Sequence, residues 1–63
     1  MFIELTLEDG VKAMFNITYI EQFSPNDDNS FLTDIFLNSD PEEPYIVRET
    51  YNEVRMLIES KIR

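Results

Sequence analysis

The sequence predicts an α+β fold: a four-stranded, mainly antiparallel sheet, arranged as a β-meander, with one C-terminal helix packed on one face. Three observations lead to this prediction: apolar residues alternate in short segments near the N-terminus, turn-forming residues separate the segments, and the last quarter of the chain has helical spacing behind a capping signal. All 63 residues are expected to form a single small domain.

The first two strands are predicted as a hairpin. Apolar residues alternate in residues 2–7 and again in 11–16, and three residues ending in Gly10 separate the two runs. A three-residue loop pairs Leu7 with Val11 and places both apolar sets on one face, whereas a two-residue turn places them on opposite faces. Gly10 is the only glycine in the chain and stands where this loop requires a left-handed residue.

The middle of the chain is predicted to add two more strands. Residues 16–23 are less regular and indicate a turn or short strand at the end of the sheet, and Ser24 to Ser30 is a loop rich in turn formers. A third strand follows at Phe31 to Leu37. A second, acidic loop from Asn38 to Pro44 leads into a short fourth strand at Tyr45 to Arg48.

The C-terminal helix begins with a predicted capping box. Thr50 and Glu53 have the spacing at which each side chain bonds the other residue's backbone amide. The apolar face of the helix consists of Tyr51, Val54, Leu57, Ile58 and Ile62. Lys61 and Arg63 place positive charge at its C-terminal end.

One helix covers only one side of such a sheet, so apolar residues on the other side are expected to form a patch. The residues predicted to face the helix are Ile3, Leu5, Leu7, Val11, Ala13, Phe15, Ile35, Leu37, Tyr45 and Val47. The residues predicted on the uncovered face, and hence to bind a partner, are Phe2, Met14, Leu32, Phe36 and Ile46. In an alternative interpretation, residues 16–30 fold over this face and leave no binding surface.

Charge is distributed unevenly. The formal net charge is −8, and from Met1 to Val47 ten acidic residues stand against Lys12 alone. This excess argues against nucleic-acid binding and permits attraction to a basic partner. The predicted acidic surface comprises Asp27, Asp28, Asp34, Asp40, Glu42 and Glu43.

The composition also excludes several kinds of chemistry. There is no histidine and no cysteine, so serine nucleophiles lack their usual base and the usual zinc ligands are missing. The acidic loops lack the ligand spacing and the glycine of a calcium loop. We therefore expect no catalytic residues, no cofactor and no metal. No apolar run is long enough to span a bilayer and the N-terminus does not resemble a signal peptide, so we expect a cytoplasmic protein without membrane insertion.

The order of segments resembles the small flagellar proteins of the FlbD/SwrD type. The motifs that carry this resemblance are residues 3–10 (IELTLEDG), Asn16 followed by Ile20-Glu21, and Val47-Arg48-Glu49 leading to Glu53-Val54 and Ile58. The chain departs from that pattern in its longer loop from Pro25 to Ser30 and in the acidic segment Asn38 to Pro44, where the family has a glycine hairpin. Similar short acidic proteins also occur in Gram-positive bacteria and their phages. The resemblance implies a sheet-and-helix fold and a non-catalytic role in a flagellar assembly.

Two functions follow as hypotheses. The first is a non-enzymatic protein-interaction domain that dimerises or docks on a larger bacterial assembly through the uncovered sheet face. The second is an acidic inhibitor, of the kind phages use, whose carboxylates imitate nucleic-acid charge and occupy a basic cleft.

Overall fold

The computed structural model describes residues 1–62 and has the α+β composition that the sequence predicts, with one C-terminal α-helix. Arg63, predicted to contribute charge at the end of this helix, lies outside the described residues. The elements in chain order are β1 (Phe2–Thr6), β2 (Lys12–Asn16), a 3₁₀ turn (Ile17–Tyr19), β3 (Ile20–Pro25), β4 (Thr33–Leu37), β5 (Asp40–Val47) and α1 (Tyr51–Ile62).

The strands form two antiparallel sheets, so the prediction of one four-stranded sheet is wrong. One sheet has the order β1-β2 and the other β3-β4-β5. They meet at a bridge between Leu7 and Val47, beside which the Arg48 amide donates to the Thr6 carbonyl over 2.7 Å. Apolar alternation determines which face of a strand is buried but not which strand lies beside it. The sequence pattern therefore could not separate one sheet from two.

The hydrophobic core lies between the two sheets and the helix. Ile3, Leu5 and Phe15 enter it from the first sheet, Ile35 and Val47 from the second, and Val54 from α1. The helix contacts β1 and β3, so it lies against both sheets instead of covering one sheet face. Each inner face is thus buried by the opposite sheet and the helix together.

The first hairpin confirms the predicted three-residue loop. The Leu7 amide donates to the Val11 carbonyl over 2.8 Å, and the Gly10 amide donates to the Leu7 carbonyl over 2.9 Å. Further along, Leu5 pairs with Ala13. Gly10 has φ +94°, in the region that glycine adopts without the strain imposed on other residues.

The acidic segment after β4 is a strand with an interrupted ladder, not the predicted loop. A two-residue turn at Asn38-Ser39 connects β4 to β5, and Leu37 pairs with Asp40. Regular pairing resumes only where Ile35 meets Tyr45. Pro41 and Pro44 fall inside the interruption, where a missing backbone donor breaks no ladder bond.

The segment from Asn16 to Pro25 forms the 3₁₀ turn and an edge strand. The Asn16 side-chain oxygen accepts from the Thr18 amide at 3.0 Å and caps the turn. The following strand, β3, pairs with β4 at the edge of the second sheet and does not lie across a sheet face.

The helix starts as predicted. The Thr50 amide donates to Glu53 Oε1 over 2.8 Å, and the Glu53 amide donates to Thr50 Oγ1 over 3.2 Å, completing the capping box. Val54 is buried, but Ile62, predicted on the core face, is 60% exposed. Tyr51 is 37% exposed, and its ring centroid lies 5.2 Å from that of Phe23, which packs against the core.

A hydrogen-bond network at Glu49 ties the two sheets together just before the helix. The Thr6 amide and hydroxyl donate to the two carboxylate oxygens of Glu49 over 2.8 and 2.9 Å. The hydroxyl of Thr33, a fully buried residue of β4, donates to the Glu49 carbonyl over 2.7 Å. Glu49 thus bonds to β1 with its side chain and to β4 with its backbone.

Candidate protein-binding surface

The five predicted partner-binding residues do not lie on one sheet. Phe2 and Met14 lie on the outer face of the first sheet and are 52% and 60% exposed. Phe36 and Ile46 belong to the second sheet, Leu32 immediately precedes β4, and all three are half-buried. The predicted uncovered face of a single sheet is therefore wrong, because the strands that carry these residues divide between two sheets.

Met14 instead lines an apolar groove between the two sheets, which we call the β2 groove. Its volume is about 280 Å³. It is lined by Ala13, Met14, Phe15, Asn16, Tyr19, Leu37 and Tyr45. The most exposed of these large side chains are Met14, Tyr19 and Tyr45, at 60%, 59% and 48%. An apolar concavity with exposed aromatic walls is a typical place for a partner's side chain to bind.

Two tyrosines line the groove apart from β2: Tyr45 forms the wall opposite β2, and Tyr19 lies at one end. Tyr45 contacts Phe15 edge to face, with ring centroids 5.6 Å apart and planes at 81°. Tyr19 ends the 3₁₀ turn, and its carbonyl accepts from the Asn38 amide over 2.8 Å. The Tyr45 ring is therefore held by a core contact and the Tyr19 backbone by a hydrogen bond, while about half of each residue's surface faces solvent.

Neither tyrosine was predicted from the sequence to lie at the surface. Tyr45 was predicted to face the helix, and Tyr19 was not assigned to a face. Pro44 directly before Tyr45 was the available signal, since a proline inside a strand marks an irregular ladder across which alternation cannot be extended.

Within residues 1–62, the groove lining is mainly apolar and aromatic. No acidic or basic side chain lines it, and the one amide side chain, that of Asn16, already accepts from the Thr18 amide. The described residues 1–62 also contain no cluster of three or more potential metal ligands. What the groove offers a ligand is apolar and aromatic contact.

A second, shallower apolar depression lies on the helix. Met56, 62% exposed, and Leu57 line it together with Glu49, Glu53 and Ser60, and its volume is about 410 Å³. On the same helix, Arg55 and Glu59 form an exposed ion pair at 3.3 Å, which contributes little to stability.

The predicted acidic surface is exposed except at one residue. Asp34 is half-buried and accepts from the Asn26 side-chain amide over 2.8 Å. The Asn26 side-chain oxygen in turn accepts from the amides of Asp28 and Asn29, which orders the loop. Asp34 therefore anchors a loop. The other five residues of the predicted acidic surface are exposed: Asp27, Asp28, Asp40, Glu42 and Glu43.

Within residues 1–62, no helix has the length and apolar character needed to cross a bilayer. No protein-family model, curated protein or solved structure matches this chain. The resemblance to the FlbD/SwrD-type flagellar proteins remains a prediction based on short motifs.

Proposed function

We propose that this chain is a non-enzymatic protein-interaction domain that binds a basic protein partner through the β2 groove. The observation that carries the proposal is an exposed aromatic groove on a chain of net charge −8. The motifs shared with FlbD/SwrD-type proteins suggest an accessory role in a bacterial, flagellar-like assembly as the biological setting.

The residue types in the groove support binding. Tyr19, Tyr45 and Met14 expose about half or more of their surface at one concavity. Tyrosine and methionine are enriched at protein interfaces, and tyrosine is among the residues that most often dominate binding energy. Phe15 is apolar because it belongs to the core. Core packing does not account for the three large side chains that remain exposed around it.

Charge favours a basic partner over a second copy of this chain. Two copies, each with net charge −8, repel one another at close approach, whereas a basic partner is attracted. Carboxylates also stand close to the groove along the strands: Glu4 pairs with Met14, and Glu43 lies two positions before Tyr45. A partner segment with lysine or arginine beside its apolar residues complements this arrangement.

The second candidate is the acidic inhibitor that imitates nucleic acid. The exposed Asp27, Asp28, Asp40, Glu42 and Glu43 support it, because none of the five forms an ion pair within residues 1–62. This function depends on charge alone and does not require the aromatic groove.

A peptide titration tests the proposed function. The probe is an acetylated and amidated hexapeptide, Lys-Val-Lys-Val-Lys-Val, and binding is measured by calorimetry or NMR. Tyr19→Ser is expected to weaken binding about tenfold because it removes one aromatic wall. Phe31→Ser is the matched control, since Phe31 is a 75% exposed aromatic residue that does not line the groove, and it should bind like the unmodified protein.

Salt separates the two candidate functions. Between about 0.02 M and about 0.5 M salt, binding in the groove should weaken yet persist, because the apolar contribution is not screened. Two results together would contradict binding in the groove and favour the charge-mimicking inhibitor. Peptide binding would be lost completely at high salt, and Tyr19→Ser and Phe31→Ser would bind the peptide equally well at low salt.

A further inference from the structure

The outer edge of β2 presents unpaired backbone groups. The Leu7 amide donates to the Val11 carbonyl, and in an antiparallel ladder every second pair of residues is bonded in this way. The backbone groups therefore also face each other in the pairs Leu5–Ala13 and Ile3–Phe15. The intervening residues point outward, as Thr6 shows: its carbonyl accepts from Arg48 and its amide donates to Glu49, both on the side away from β2. The amides and carbonyls of Lys12 and Met14 therefore point away from β1, and within residues 1–62 no strand pairs with β2 on that side.

The free edges of β3 and β5, the outer strands of the second sheet, carry features that discourage pairing. The edge strand β3 has a register shift between Ile20 and Gln22 and ends at Pro25. Strand β5 contains Pro41 and Pro44 within its interrupted ladder. Prolines and bulges are the usual devices that protect an exposed edge.

Strand β2 has neither device. Its pairing with β1 is continuous from Lys12 to Asn16, and it contains no proline. Lysine on an edge strand can also protect it, but the Lys12 Nζ donates to Thr6 Oγ1 on the neighbouring strand β1, over 2.9 Å. The charge of Lys12 is thus held toward the paired side of β2.

The β2 groove runs along this same edge. Four consecutive β2 residues, Ala13 to Asn16, line it, although successive side chains of a strand point to opposite faces. A groove that follows the edge of the strand is lined by residues of both faces in this way. Its far wall is formed by Leu37 and Tyr45 of the second sheet.

We propose that the basic partner binds as an extended segment that adds a strand to the outer edge of β2. The backbone groups of Lys12 and Met14 supply the hydrogen bonds, and alternate apolar side chains of the segment enter the β2 groove against Phe15 and Tyr45. This inference rests on the proposed function and specifies how the partner is held. Strand addition to an exposed edge is an established mode of peptide recognition, in which pockets for alternate side chains supply specificity.

Alternate N-methylation of the probe hexapeptide tests this mode without changing the protein. One peptide is methylated on the lysine amides and the other on the valine amides, so the two differ only in which edge of the extended segment has lost its donors. One pattern is expected to weaken binding at least about tenfold, because it removes the bonds to β2, while the other binds nearly as well as the unmodified peptide.

A protein variant provides the second test. Lys12→Pro removes an outward amide of β2 that the β1–β2 ladder does not use, and Lys12→Ala is the matched control that keeps this amide. An unchanged NMR spectrum for the core residues verifies that each variant is folded. Lys12→Pro should lose about tenfold in affinity for the unmodified hexapeptide relative to Lys12→Ala.

Each of the remaining outcomes overturns the inference. Equal binding of the two methylated peptides, whether both are strong or both weak, would overturn strand addition and leave the proposed function in place. Failure of the unmodified peptide to bind the unmodified protein would overturn the proposed function and the inference with it. A dimer in sedimentation experiments that Lys12→Pro dissociates would mean that the strand on β2 comes from a second copy.

Discussion

Replacing Leu5 with alanine should lower the free energy of unfolding by about 3 kcal/mol, the largest single effect that we expect in this domain. Leu5 is fully buried at the centre of the core cluster, which contains residues of both sheets and of the helix. A domain of this size has a total stability of only about 3 to 9 kcal/mol, so Leu5→Ala should remove from about a third to nearly all of it.

Urea denaturation followed by circular dichroism measures this effect. Met56→Ala is the control, because Met56 is a large apolar residue that is 62% exposed and should change stability by about 0.5 kcal/mol or less. Similar unfolding midpoints for the two variants would contradict a core placed between the sheets.

Replacing Glu49 with alanine should cost about 2 kcal/mol, although Glu49 is only half-buried. Its carboxylate accepts from both the amide and the hydroxyl of Thr6, and hydrogen bonds to charged groups are stronger than neutral ones. The variant leaves the Thr6 amide without this partner and weakens the junction between the two sheets.

Glu42→Ala is the matched control, since Glu42 is an exposed glutamate without an ion pair in residues 1–62. Because it reduces the net negative charge by the same amount, it separates the hydrogen bonds from the general charge effect. Equal stabilities of the two variants in urea would show that Glu49 contributes only through its charge.

Local features of this fold could be predicted from the sequence because local spacing determines them. Gly10 and the alternation on either side of it specified the loop length and register of the first hairpin. The spacing of Thr50 and Glu53 specified the start of the helix. In each case the interacting residues are close together in the chain, so one arrangement satisfies both the backbone and the apolar pattern.

The division into two sheets depends on contacts that are distant in sequence. The bridge from Leu7 to Val47 and the bonds from Thr6 to Glu49 join segments about 40 residues apart. No local pattern identifies such partners. Pro41 and Pro44 were assigned to a loop because proline weakens a strand, whereas the strand here continues through an interruption in its ladder.

The candidate site was predicted only in part for the same reason. Met14 was predicted to lie outside the core; it is 60% exposed and lines the groove. Its neighbours there, Tyr19 and Tyr45, reach it from the 3₁₀ turn and from the other sheet, and their proximity to β2 depends on how the two sheets meet. The free edge of β2 could not be predicted either, because whether a strand lies at an edge depends on the order of strands in the sheet.

The central claim is that the outer edge of β2 is an unoccupied place for another strand, and amide hydrogen exchange measured by NMR tests it most directly. In the free protein, the amides of Lys12 and Met14 should exchange faster than those of Ala13 and Phe15, which bond to β1. Saturation with the Lys-Val hexapeptide should slow exchange at Lys12 and Met14 by about tenfold or more and leave Ala13 and Phe15 nearly unchanged. Continued rapid exchange at Lys12 and Met14 while the peptide occupies the groove would contradict the claim.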